Sequence, residues 1–174
     1  MVGLNDYNSL SHYQINMATM ETLGTWISYL KEEEVYDNTR IIVVSDHSMC
    51  LRMNEDFIRT LQYDNADVLI DLLHFQSTML VKDFDSEAFC VDYSFMCNAD
   101  VPALATDGVI ENATNPFTGS NLKDMSLKNE PLHLVFAFNF SPSTNNGYQY
   151  LPEPWITVHD NIFDTSNWGY LGYY

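Results

Sequence analysis

The sequence predicts an α/β fold with a mixed, largely parallel sheet flanked by helices. A helical periodicity over Ser11–Glu34 is followed by a turn at Tyr36–Asn38 and then by the apolar run Ile41–Val44. Asp and Asn favour turns, and a short continuous apolar run is typical of a strand buried on both faces of a parallel sheet. Helix, short turn and buried strand in this order make up an α/β unit.

The first helix is predicted from apolar side chains that recur at steps of three and four residues. This spacing places them on one face of a helix. Ser11 could accept a hydrogen bond from a free backbone N–H and so cap the start of the helix. The apolar positions are Tyr13, Met17, Met20, Leu23, Ile27 and Leu30.

An acid and an imidazole, Asp46 and His47, follow directly after the predicted strand. In open α/β sheets, ligands bind just outside the carboxyl ends of the strands. A carboxylate oxygen and an imidazole nitrogen are both good ligands for a divalent metal. The two residues are therefore candidate metal ligands; the other interpretation is a helix cap followed by a polar loop residue.

Shorter elements are predicted in the middle of the chain. Asn54–Leu61 has the pattern of a short helix, whereas Asp67–Leu73 is apolar but ambiguous. Thr78–Val81 predicts a second strand. A helix is expected from Ala99 or Asp100 to Ile110, with Asn98 as its cap and a proline in its first turn, where proline is tolerated. The Asn-, Thr-, Pro- and Gly-rich segment 111–121 is expected to be a loop.

The carboxy-terminal third predicts strands and turns. Leu132–Phe138 and Trp155–Val158 have strand patterns, and Ser141–Gly147 between them predicts a hairpin turn. An aromatic-rich tail begins at Ile162. The sequence contains no internal repeat and no long linker, so residues 1–174 are expected to form a single domain.

The charge of the chain excludes one class of function. The 174 residues carry a net charge of −17, with only seven Lys and Arg residues and none clustered. Nucleic-acid binding needs clustered basic residues, so no nucleic-acid partner is expected. The acidity serves solubility or attracts cations to a metal site. No stretch is long and apolar enough for a membrane helix, and Met1–Leu10 lacks the pattern of a signal peptide, so the chain itself is expected to be soluble.

Two segments carry a family resemblance. The run METLGTWISYLKEEEVYDNTRIIVVSDHS, residues 20–48, resembles the segment of the alkaline-phosphatase superfamily that ends in an Asp-His metal pair. It is most similar to the sulfatase-like branch, which includes sulfatases and lipoteichoic-acid-synthase-type phosphoglycerol transferases. Phe95–Ala105, with its Asp-Val-Pro, and Asn115–Gly119 resemble a helix start and a loop further along that family. The resemblance covers roughly residues 11–120.

The resemblance implies a function. In such a hydrolase or transferase, Asp46 and His47 would hold a divalent metal (Zn, Mn, Mg or Ca) that acts on a sulfate or phosphate ester, as in phosphoglycerol transfer. A hydroxyl nucleophile would form a covalent ester intermediate. Ser48 departs from the family, which usually has Gly after the Asp-His pair.

The resemblance also predicts which part of the enzyme this is. The chain matches only the carboxy-terminal half of a family catalytic domain, a partial alkaline-phosphatase-like domain. The nucleophile (Thr, Ser or modified Cys) belongs to the amino-terminal half, so the chain is expected to be inactive alone. A full-length parent would be membrane-anchored or extracellular.

Other metal-ligating residue types have less specific patterns. His74 and His133 are predicted to be core or boundary histidines, and His12 is expected to pack or to face water. His159–Asp160 repeats the Asp/His pairing in reverse order; a solvated strand end explains it, and a ligand pair is the alternative. Cys50, Cys90 and Cys97 are odd in number; Cys90 and Cys97 could form a disulfide, or the thiols could be buried.

A non-catalytic role is the alternative hypothesis. The chain could be an acidic α/β module that uses its fold for binding or assembly. A half-domain would leave sheet edges and an apolar face uncovered, and such edges recruit other chains. Self-association is therefore expected under either hypothesis.

Overall fold

The computed structural model describes residues 7–49, 54–63, 66–122, 130–135 and 152–174, with side chains from residue 11 onwards and not at 63 and 66. The chain divides into two compact units. The first comprises Met1–Val43 and Met79–Phe89, and the second comprises Val44–Thr78 and Cys90–Tyr174.

The first unit contains helix α1 and a two-stranded sheet. Helix α1 spans Tyr7–Glu32, strand β1 spans Ile41–Val44, and β1 pairs with β4, Met79–Lys82. The Arg40 guanidinium lies 2.8 Å from the Asp83 carboxylate. This ion pair joins the residue before β1 to the residue after β4, so the two strands run in opposite directions.

Helix α1 confirms the predicted helix but not its predicted cap. It begins at Tyr7, before Ser11, so Ser11 does not cap its start. Tyr13, Met17 and Met20 are exposed, and of the predicted face only Leu30 is buried.

The second unit is built from antiparallel strands. Strands β2, Ile58–Tyr63, and β3, Ala66–Asp71, form a hairpin in which Ile58 lies opposite Asp71. Strands β5, Leu132–Val135, β6, Pro154–Val158, and β7, Trp168–Tyr173, form an antiparallel sheet with β6 in the centre. A short helix, α2, spans Val101–Thr106 after a 3-10 turn at Asn98–Asp100.

The core of the second unit consists of Phe57, Ile70, Leu72 and Ile156. Trp168 of β7 packs against this cluster. After β3, the buried Asp71 carboxylate accepts a hydrogen bond from the Leu73 backbone N–H and caps a 3-10 turn at Leu72–Phe75. Because Leu72 is anchored in the core, the turn carries His74 to a defined place.

The predicted fold class is wrong. In place of a largely parallel sheet flanked by helices, the described residues form three small sheets of two, two and three strands. Only two residues separate β2 from β3, and a parallel pair needs a crossover of a dozen or more. The apolar run Ile41–Val44 was predicted to be a strand buried on both faces. It is a strand, but only Ile41 is buried, and Val44 is exposed.

Other elements differ from expectation in informative ways. The helix predicted over Asn54–Leu61 is a 3-10 turn at Glu55–Phe57 followed by strand β2. Asn54 accepts a hydrogen bond from the Asp56 backbone N–H, which closes the turn, and the chain then extends. The helix predicted to reach Ile110 ends at Thr106. The ambiguous segment 67–73 is mostly strand β3.

The remaining strand predictions agree with the structure where it describes them. Strands β4 and β6 confirm the segments predicted at Thr78–Val81 and Trp155–Val158. Strand β5 confirms the first four residues of the segment predicted from Leu132, and residues 136–138 lie outside the described part. The turn predicted over Ser141–Gly147 also lies outside it.

Neither helix in the described part of the chain is both long and apolar enough to cross a bilayer.

Candidate functional site

The loop that carries Asp46 and His47 is held in place by the segment that follows β3. The Ser45 backbone N–H donates to the Thr78 carbonyl at 3.0 Å, and the Thr78 N–H donates to the Ser45 hydroxyl at 2.8 Å. The Ser48 N–H donates to the carbonyl of His74 at 3.0 Å. These bonds bring His47 and His74 together, although 26 residues separate them in the chain.

Asn98 fastens the same loop from a third segment. Its Nδ2 donates to the carbonyls of Ser45 at 2.9 Å and Asp46 at 3.2 Å, and its Oδ1 accepts from the Ser77 hydroxyl at 3.0 Å. Asn98 is thus not a helix cap, as the sequence suggested, but a clamp across two loops. No local pattern reveals this role because its partners lie 21 residues or more away.

Asp46 and His47 present an oxygen and a nitrogen at the separation that a metal needs. Asp46 Oδ1 accepts from the His47 backbone N–H at 2.9 Å, and Asp46 Oδ2 lies 3.4 Å from His47 Nε2. Zinc–ligand bonds of about 2.1 Å at a tetrahedral angle place two ligand atoms about 3.4 Å apart. The side chains are 85% and 51% exposed, so an ion could reach them from solvent.

The ring orientation of His47 also suits a ligand. Its Nδ1 lies 2.8 Å from the Ser48 carbonyl oxygen. A proton on Nδ1 would donate to this carbonyl and leave Nε2 with a free lone pair. Such a backbone contact is how metal-binding histidines are commonly oriented.

The electrostatics keep Asp46 in the form that binds cations. The pKa of its carboxyl is lowered, first because the carboxylate accepts the His47 backbone N–H and then because the His47 imidazole lies beside it. The His74 imidazole lowers it slightly further. Asp46 is therefore a carboxylate at neutral pH.

His74 is the further donor residue next to this pair. Its ring centroid lies 4.6 Å from that of His47, with the two planes tilted by 46°. The side chain is half-buried, as predicted for a boundary histidine. Its place beside His47 could not be read from the sequence. Among the described residues, no group of three or more His, Cys, Asp or Glu side chains surrounds a possible metal position.

The loop Asn115–Gly119, which also resembles the family, is hydrogen-bonded to another segment of the chain. The side chain of buried Asn115 donates from Nδ2 to Asp100 Oδ1 at 3.0 Å and accepts from the Phe117 backbone N–H at 2.8 Å. The loop from Asn115 is thus tied to the start of α2. Phe117 is largely exposed, so this loop does not bury its aromatic side chain.

The second Asp/His pair has a different geometry. His159 Nδ1 and Asp160 Oδ2 lie 2.8 Å apart, within direct hydrogen-bonding distance. Both side chains are partly exposed after strand β6, as expected for a solvated strand end. Because each group already contacts the other, an ion between them would first have to separate them.

The remaining candidates are scattered. His133 on β5 is exposed, so the prediction of a core or boundary position is wrong, and His12 is half-buried on α1. Cys90 and Cys97 are both free thiols, so they form no disulfide, and Cys90 is exposed rather than buried. Burial raises the pKa of the Cys97 thiol. Cys50 lies outside the described residues.

Comparison of the chain with models of protein families, with curated proteins and with solved structures finds no match.

Proposed function

We propose that the chain binds a divalent metal through Asp46 and His47 and serves as the metal-bearing part of a sulfatase-like hydrolase or transferase. Its substrates would be sulfate or phosphate esters. The observation that supports this most is the 3.4 Å between Asp46 Oδ2 and His47 Nε2, the ligand separation of a tetrahedral zinc site. The assignment to a sulfatase-like enzyme rests on the resemblance of residues 20–48 to the family's metal segment.

The donor set favours some metals over others. One carboxylate oxygen and one imidazole nitrogen suit Zn²⁺ or Mn²⁺ better than Ca²⁺ or Mg²⁺, which prefer oxygen ligands alone. Catalytic zinc sites usually have three protein ligands. Among the described residues, His74 could become the third, because its ring centroid lies 4.6 Å from that of His47.

A metal held here would supply Lewis-acid catalysis by polarising an ester oxygen. The chain's own residues have simpler tasks. Asp46 and His47 would hold the ion at an exposed loop, and Asn98 would keep the loop carbonyls fixed. The chain alone is expected not to turn over an ester, because the nucleophile belongs to a segment that it does not match.

Calorimetric titration with Zn²⁺ and with Mn²⁺ tests the metal site. We expect one ion per chain in the unmodified protein and no such binding in Asp46→Ala or His47→Ala. His159→Ala is the matched control and should bind normally. Weak binding of several ions that none of these substitutions changes would show that the acidic surface alone attracts cations, and would refute the proposal.

A non-catalytic acidic binding or assembly module is the second candidate. It is favoured by the net charge of −17 and by the lack of a three-ligand cluster among the described side chains. Phosphate or sulfate binding separates the two functions. An esterase-type site predicts that either oxyanion binds the zinc-loaded chain and not the metal-free chain. Zinc binding without any oxyanion binding would favour the module.

A further inference from the structure

An arginine lies on the core-facing side of the hairpin formed by β2 and β3. In an antiparallel pair, directly opposite residues share a face of the sheet, and successive residues alternate between the two faces. Arg59 lies opposite Ile70, which is fully buried, and Leu61, two residues further along β2, packs against the core. The half-buried Arg59 is therefore a charged member of an apolar face, and a charge in such a place favours a negative partner.

The guanidinium of Arg59 is held in place by two backbone carbonyls. Its Nη1 donates to the carbonyl of Asp56 at 2.7 Å and to that of Ile58 at 3.1 Å. Both acceptors are uncharged, and no ion pair within the described part of the chain includes Arg59. Within that part, Nε and Nη2 remain available as donors, and two neighbouring guanidinium N–H groups can bind both oxygens of one carboxylate.

A small cavity lies beside this arginine, between the hairpin and strands β6 and β7. Arg59 is one of its lining residues, and its volume is about 80 Å³. Most of the other lining side chains are apolar, so a single cation borders a space that water-soluble groups would not fill well. The aliphatic lining residues are Leu61, Ile70, Leu72 and Ile156, and the aromatic ones are Trp168 and Tyr170.

The size and the lining of the cavity indicate the class of ligand. An apolar cavity of about 150 Å³ holds a benzene ring, so about 80 Å³ has room for roughly three or four carbon atoms. One guanidinium balances one negative charge and matches the planar fork of a carboxylate. A doubly charged phosphate would need further basic residues, and Arg59 is the basic residue among those lining the cavity.

We propose that this cavity binds a short-chain monocarboxylate, with the carboxylate on Arg59 and the hydrocarbon body against the apolar walls. A branched acid such as 3-methylbutanoate has a body of the right size. Because so small a ligand makes few contacts, its dissociation constant should be about 1 mM. Neither Asp46 nor His47 lines the cavity, so this site does not depend on a bound metal.

Titration of the metal-free chain with 3-methylbutanoate, followed by nitrogen–proton NMR, tests the proposal. Omitting metal prevents the acid from binding to an ion at Asp46 and His47. The indole N–H of Trp168, a lining residue, donates to the Ile162 carbonyl at 2.8 Å and supplies a signal next to the cavity. We expect this signal to shift and to saturate, with its midpoint at about 1 mM.

Two other small molecules separate the contribution of the charge from that of the apolar body. The uncharged 3-methylbutanamide has the same shape as the acid and should bind at least about 10-fold more weakly, because it cannot form the ion pair with Arg59. Acetate has the charge without the body and should also bind at least about 10-fold more weakly. Both comparisons use the unmodified chain, so they do not depend on the folding of a variant.

Two substitutions test the same contributions from the side of the protein. Arg59→Gln removes the guanidinium and should weaken binding of the acid about 10-fold, to the level of the amide. Leu61→Phe fills the cavity but leaves Arg59 in place, and should abolish binding. Thr60→Ala is the matched control, since Thr60 is exposed on the other face of β2, and should bind like the unmodified chain.

Three results would overturn the proposal. The first is the absence of a saturable shift of the Trp168 signal at up to about 20 mM 3-methylbutanoate. The second is binding of the amide as tight as that of the acid. The third is unchanged binding of the acid by a folded Arg59→Gln or Leu61→Phe variant, with folding checked by circular dichroism.

Discussion

The two Asp/His pairs of this molecule have the same residue types and the same adjacency, but different geometry. At Asp46–His47 the carboxylate is anchored by a backbone N–H, and its second oxygen stays 3.4 Å from the imidazole nitrogen. At His159–Asp160 the carboxylate and the imidazole are 2.8 Å apart and contact each other directly. Only the first pair holds its two donors at the separation of two ligands in a tetrahedral zinc site.

The difference arises from the backbone around each pair. Asp46 precedes its histidine, so its carboxylate can turn forward onto the His47 N–H. Asp160 follows its histidine and adopts a left-handed conformation with φ of 51°. Residue order and loop conformation thus differ between the two pairs, together with the distance from carboxylate to imidazole.

The largest effect on stability is expected from the core of the second unit, which contains residues close in sequence to both pairs. Ile70→Ala removes a fully buried side chain between β2–β3 and β6, and should lower the free energy of unfolding by about 2–5 kcal/mol. Urea unfolding measures it. Because Leu72 and Ile156 belong to the same cluster, both pairs should lose their fixed geometry. Retention of full stability would show that this cluster is not the core.

Removing the carboxylate charge should reduce zinc binding strongly at the first pair and hardly at all at the second. Asp46→Asn keeps the side-chain shape but loses the carboxylate, and should weaken zinc binding about 100-fold. Asp160→Asn should change it by less than about twofold. Competition with a coloured chelator measures both. Equal losses in the two variants would mean that the pairs do not differ as the geometry indicates.

Removing the Asn98 clamp should weaken zinc binding less than removing the Asp46 carboxylate does. Asn98→Ala removes the amide that donates to the carbonyls of Ser45 and Asp46, and should weaken zinc binding about 10-fold. Asn167 is the matched control, since its amide donates to the Asn161 carbonyl near the second pair. Asn167→Ala should leave zinc binding unchanged. No change in Asn98→Ala would show that the loop does not depend on the clamp.

The smallest effect concerns a carboxylate close to the second pair. The pKa of Asp164 is lowered, mainly because its side chain accepts hydrogen bonds from the hydroxyl and backbone N–H of Ser166. A lowered folded-state pKa stabilises the fold above the usual value of 3.8, and this contribution is lost as the pH falls through the folded-state pKa. Ser166→Ala should raise the pKa of Asp164, as carbon-detected NMR titration can measure. An unchanged pKa would contradict the assigned cause.

The sequence predicted local elements better than their assembly. Helix α1 and strands β1, β4 and β6 follow from periodicity and apolar runs, which depend on nearby residues alone. The antiparallel pairing of β2 with β3 escaped prediction because the pattern of Asn54–Leu61 suits a helix as well as a turn and strand. Propensity is a weak guide where tertiary packing decides.

The candidate site shows the same limit. Asp46 and His47 could be proposed because they are adjacent and follow a strand. His74 and Asn98 could not, since hydrogen bonds between distant segments bring them to the pair. Their spacing in the chain matches no metal-binding motif.

Nitrogen NMR of the five histidine rings during zinc titration tests the central difference between the pairs most directly. Signals assigned through single His→Gln variants would report each ring separately. We predict that His47 Nε2 shifts on addition of one equivalent of zinc, that His74 responds with it, and that His159 does not change. A shift of His159 before or together with that of His47 would contradict the account.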